Sequence, residues 1–154
     1  MDPCYRLFLL VSITTTISAA LASDTAPDAG FIHLQEDEVA FHVVPEIPGA
    51  EFANIVGDPA KPGTYVIRVR FGRGVTTPPH YHDQDRYVTV ISGVWAFGTG
   101  DSGECADTVP LRPGAFAMHP KGAVHYDGSC NGEPVVVQII GSGPVKTTWL
   151  GRSE

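Results

Sequence analysis

Two histidines one residue apart, His80 and His82, stand in the stretch "TTPPHYHDQDRYVTVISG" (76–93). In an extended chain, residues two apart point to the same face. The pair can therefore present two imidazoles to one cavity. Imidazole suits zinc, iron, copper, nickel and manganese. Two such ligands bind weakly, so a real site needs more, and His125 in "GAFAMHPKGAVHYDG" (114–128) offers a third. On spacing alone, two exposed histidines in a polar turn explain the pair equally well. Position 86, four residues beyond His82, holds an arginine. A guanidinium has no lone pair to give, and it repels a cation in a low-dielectric pocket.

Residues so far apart in the chain meet only if strands bring them together. The segment "GTYVIRVRF" (63–71) alternates cleanly, with Tyr65, Ile67 and Val69 on one face and Val66, Arg68 and Arg70 on the other. Further strands are predicted at 37–44, 86–93, 94–100, 107–111, 114–120, 123–126, 134–141 and 145–150. The 13 prolines and 17 glycines punctuate them. No helical periodicity longer than two turns competes. Many short, closely spaced strands predict an all-β sandwich or small barrel, which can hold one small ligand among inward side chains.

The length of 154 residues predicts one domain, and 43% hydrophobic with 18% charged residues is an ordinary globular balance. A net charge of −7 argues against nucleic acid and anionic membrane surfaces as partners. The first 22 residues read as an export signal: Arg6, an apolar run from Leu7 to Ile17, then the cleavage-type triplet Ala20-Leu21-Ala22. A flexible leader (23–34) and the folded domain (35–154) follow, in a secreted or periplasmic chain with no membrane contact after cleavage. Removal of the signal takes Cys4 and leaves Cys105 and Cys130, an even count that predicts a disulfide in an oxidising compartment.

The histidine segments carry a resemblance. Gly74, His80, His82 and Gly93 match the first signature of the cupin superfamily, G-x5-H-x-H-x3-E-x6-G, except at its glutamate, where Arg86 stands. Gly114, Pro120, Gly122 and His125 match the second, G-x5-P-x-G-x2-H-x3-N, whose final Asn is Ser129 here. The resemblance implies a jelly-roll-like sandwich with short or no helices, resembling small single-domain cupins of undefined activity. It implies a divalent transition metal (Fe, Zn, Cu, Ni or Mn) on His80, His82 and His125, and a homodimer.

The missing carboxylate leaves three arrangements open. Three histidines can ligate alone, with Arg86 beside them as a clamp for a substrate anion. Another residue can replace the glutamate, with His119, Asp85 and Gln84 as candidates. The histidines can also hold a ligand without metal. His119 is equally readable as a surface or capping residue, because Phe116 and Met118 make an alternative inward set. Two functions follow: a small-molecule metalloenzyme of oxygenase, lyase or isomerase type, or a non-catalytic module that binds a small ligand.

Overall fold

The computed structural model describes residues 30–151. The expected export signal (1–22) and residues 23–29 of the expected leader lie outside the described residues. In chain order the strands are β1 (His42–Val43), β2 (Ala50–Val56), β3 (Gly63–Phe71), β4 (His80–His82), β5 (Arg86–Ser92) and β6 (Trp95–Thr99). They continue as β7 (Val109–Leu111), β8 (Phe116–His119), β9 (His125–Gly128), β10 (Val135–Gly143) and β11 (Thr147–Trp149). The helical elements among the described residues are two single 3-10 turns, Glu36–Glu38 and Cys105–Asp107.

The strands form two antiparallel sheets, ordered β1-β2-β3-β10-β5-β8 and β11-β4-β9-β6-β7. The predicted alternation of β3 holds: Tyr65, Ile67 and Phe71 are buried, and Val69 packs on the same core. Across the outer face, Arg70 meets Glu51 at 3.0 Å. Val88 and Val90 of β5, and Val135, Val137 and Ile139 of β10, fill the space between the sheets with Trp95 of β6. Each such side chain contributes roughly 1.5–3 kcal/mol through burial.

Two segments differ from the sequence reading. The strand expected at 37–44 is a 3-10 turn followed by the two residues of β1, which Pro45 keeps from extending further. Strand β2 was not anticipated. Its burial does not alternate cleanly, and its pairing with β3 shifts register between Asn54 and Val56, as a bulge does.

Two glycines set the geometry around the site. Gly93 turns β5 into β6 at φ +75°, where a Cβ would strike the carbonyl of Pro134. Gly128 at φ +146° lies against the backbone of Val75 and Thr76, so closely that a Cβ would collide with it. That approach lets Thr77 N–H donate to the Asp127 carbonyl at 2.7 Å, while Asp127 N–H donates to Thr77 Oγ1 at 2.9 Å. The predicted disulfide joins Cys105 and Cys130, with their Cα atoms 5.7 Å apart. It ties the loop after β6 to the loop after β9.

Candidate metal centre

Strands β4, β5, β8 and β9 carry the chemistry. His80 pairs with His125 across β4 and β9, and Arg86 pairs with His119 across β5 and β8. Four histidines from three strands thus enter one interior. His80, His82, His119 and His125 are each no more than 3% exposed, and Asp127 is 6% exposed. The ring centroids of His80 and His125 are 4.3 Å apart, those of His82 and His125 5.1 Å, and those of His119 and His125 3.8 Å. A cavity of about 380 Å³ is lined by His80, His82, His119 and Asp127, and also by Thr77, Arg86, Ile139, Thr147 and Trp149.

Backbone contacts orient two of the rings. His80 Nδ1–H donates to the Pro78 carbonyl at 2.9 Å, and His125 Nδ1–H donates to the Ala123 carbonyl at 2.9 Å. Both rings therefore hold their proton on Nδ1 and turn an Nε2 lone pair inward, the arrangement that prepares an imidazole for a metal. His125 Nε2 is buried without a partner. Ligand atoms of His80, His82 and His125 all lie within 4.8 Å of one another.

His82 is held differently. Arg86 Nη1 donates to its Nε2 at 2.6 Å, so its proton sits on Nδ1 and faces Thr147 Oγ1 at 3.0 Å. Thr147 reaches it because β11 runs beside β4 in the register Thr147 to His82 and Trp149 to His80. Asp83 fixes that register: its Oδ1 accepts from Lys146 N–H at 2.7 Å. Trp149 packs over His80 with ring centroids 4.7 Å apart, an inward role that the sequence did not reveal.

Enclosure controls the charges. Burial lowers His80 to a pKa of about 3, helped by the neighbouring His125. Burial lowers His119 to about 2 and His125 to about 4. His82 is lowered too, first by burial and then by the Arg86 charge. All four imidazoles are neutral near pH 7, and neutral imidazole is the form that ligates. Burial raises the Asp127 carboxyl to about 7, against the pull of Arg86. Arg86 is lowered by burial, but a guanidinium stays charged at any pH the protein meets.

The structure brings together His80, His82, His125, His119 and Arg86, and it adds Asp127. His119 is inside and is no surface or capping residue: Phe116 and Met118 point outward, 61% and 38% exposed. Asp85 and Gln84 are not brought to the imidazoles. Asp85 is exposed, and its Oδ1 accepts from Lys121 N–H at 2.7 Å. Asp127 had a signal in its spacing, two residues beyond His125, which puts both on one face of β9. The donor set fits a metal: four neutral buried imidazoles and a carboxyl, with both nitrogens of His119 and Nε2 of His125 lacking any hydrogen-bond partner.

The two-sheet sandwich matches solved structures over most of its length. The polyketide cyclase RemF from Streptomyces resistomycificus superposes with a TM-score of 0.64 over 79% of this chain and 88% of its own, at 18% identity. A sugar phosphate isomerase of the cupin superfamily from Silicibacter pomeroyi gives 0.62 over 79% and 83%, at 19% identity. The chain has a cupin fold. A germin-like protein, subfamily 1 member 1, from Arabidopsis thaliana is 35% identical over 65 residues, which are 42% of this chain and 30% of the plant protein. No family model matches the sequence.

Proposed function

We propose that this protein is an exported, histidine-based metal cupin acting on a small anionic metabolite. The observation that carries the reading is the convergence of buried, neutral imidazoles on His125, whose Nε2 has no other partner. His125 would hold a divalent transition metal together with ligands from the groups around it, which include His80 and His82 of the first signature. Such an ion polarises substrate oxygens as a Lewis acid when bound. The chain's own groups do the rest. Arg86 Nε is buried in the cavity wall without a partner, and an anionic oxygen would satisfy it. Trp149 and Ile139 supply an apolar wall that keeps water from the substrate.

Export is supported by the Cys105–Cys130 disulfide, since such bonds persist in oxidising compartments. Among the described residues, no helix is long and apolar enough to cross a membrane. The solved neighbours named for cyclase and isomerase activities support an enzymatic role. A non-catalytic binding module is the second reading, favoured by the Arg86 contact that occupies His82 Nε2.

The test is the metal content of protein purified without chelator, repeated on His125→Gln. One equivalent of transition metal in the parent and background in the variant is expected. Background in both, persisting after incubation with Zn²⁺, Co²⁺, Fe²⁺ or Ni²⁺, overturns the metal reading and leaves the binding module.

A further inference from the structure

Two groups of potential ligands meet at His125. The signature group is His80, His82 and His125, and the deeper group is His119, His125 and Asp127. In each, the ligand atoms lie within 4.8 Å of one another. His125 has only Nε2 to offer, because its Nδ1 is committed to the Ala123 carbonyl. A histidine with one available nitrogen serves one ion at a time, so the two groups are alternatives.

The contacts in the structure favour the deeper group. His82 has both ring nitrogens engaged, Nε2 by Arg86 and Nδ1 by Thr147. An ion reaching His82 Nε2 would have to displace a cation from it. His119 has both nitrogens buried and unpartnered, and its ring lies beside that of His125. Its Nε2 is 4.0 Å from Asp127 Oδ2. Two ligand atoms each about 2.1 Å from one ion lie at most about 4.2 Å apart, so this pair already spans one coordination sphere. The deeper group also brings a carboxylate, which offsets the charge of an ion placed near Arg86. The signature group brings none.

Resting on the metal-binding reading above, we propose that the protein holds its divalent transition metal between His119, His125 and Asp127 while Arg86 occupies His82. His80 and His82 then compete for the ion only when Arg86 is drawn away. Two imidazoles and one carboxylate form a donor set used for Fe²⁺ and Zn²⁺, with positions left open for substrate. Asp127 thereby takes, from β9, the place of the carboxylate that β5 does not provide.

Two measurements test this. In the unaltered protein loaded with one equivalent of Cu²⁺, nitrogen hyperfine splitting in the electron paramagnetic resonance spectrum should count two imidazoles. Three or more overturn the proposal. Chelator competition with Co²⁺ should then show His119→Gln and Asp127→Asn each weakening binding by about tenfold or more. His82→Gln should stay within about threefold of the parent, because it removes no ligand of the deeper group. The reverse pattern overturns this inference and leaves the metal-binding reading standing. Failure of the parent to bind Co²⁺ at all overturns both. If every variant loses the ion through misfolding, the nitrogen count on the unaltered chain decides.

Discussion

The two ends of the sandwich are built by the same strands and serve opposite purposes. Strand β5 sends Arg86, Val88 and Val90 inward in succession: the first enters the histidine cavity, the others the apolar core. In the core, Tyr65, Val88, Trp95, Val135 and Val137 pack at 2% exposure or less and gain by excluding water. At the other end, equal burial is imposed on groups that need partners. His119, His125 and Arg86 keep unpartnered polar atoms there. Leaving such an atom unsatisfied costs about 1–3 kcal/mol, and the core carries two as well, Tyr65 Oη and Trp95 Nε1, so it is their clustering at the histidines that marks the site. Neither depth of burial nor a lone unpartnered atom separates core from site; the convergence of four imidazoles, a carboxyl and a guanidinium does.

Variants should keep the two ends distinct. The largest expected effect is on the apolar side: Val135→Ala should cost about 2–3 kcal/mol in urea unfolding. Metal stoichiometry of the fraction that remains folded should be unchanged. Loss of metal by folded protein would show that the two ends are coupled.

Next is the acid response of the metal-free protein. The imidazoles are held below their unfolded value of 6.5, so between the two values the unfolded chain binds more protons. Their contribution is whole above pH 6.5 and lost as the pH falls. Asp127, raised from 3.8 to about 7, acts oppositely: its contribution is whole below 3.8 and fades toward 7. With four groups against one, urea stability should drop from pH 6.5 to pH 4.5. A flat profile would mean that the rings are solvated, not enclosed.

Arg86→Glu should tighten Co²⁺ binding by about tenfold or more, because one unit charge at about 4 Å is worth about 4 kcal/mol near a protein surface. The same variant should weaken acidic ligands, as read by calorimetry with small carboxylates. No change in either would place the guanidinium outside the site's field. The smallest effect is expected for Thr147→Val, which removes the acceptor facing His82 Nδ1. A loss of about 1 kcal/mol in stability is expected, with Co²⁺ affinity nearly unaltered. A large loss of affinity would make His82 a ligand in the resting protein.

The sequence made the fold and half of the site readable, for reasons that differ residue by residue. His80 and His82 were visible because their spacing is the strand period itself. His125 was on offer as a third imidazole, and the resemblance tied it to the pair. His119 stayed ambiguous because four-residue β8 sits at a sheet edge, where a one-residue slip exchanges Ala117 and His119 for Phe116 and Met118. The pairing of Arg86 with His119 settles it, and that register is a property of two strands together. Asp127 was overlooked because β9 was read as ending at Tyr126. Thr147 and Trp149 depended on the β4–β11 pairing, which joins segments 65 residues apart at its His82–Thr147 bond and leaves no local mark. The early strand at 37–44 was overread, since partial alternation there outweighed the acidic run Glu36–Glu38, which forms a 3-10 turn.

Gly128 has a bearing on how a protein of this design could diverge. Its neighbours on either side of the cavity are interchangeable in principle, one donor for another, and each exchange would retune which ion is taken up. Any side chain at 128 would instead wedge β9 away from Thr76 and carry Asp127 off with it. Lineages descended from such an ancestor can rewrite their chemistry freely around that bare position, but they have to keep it bare.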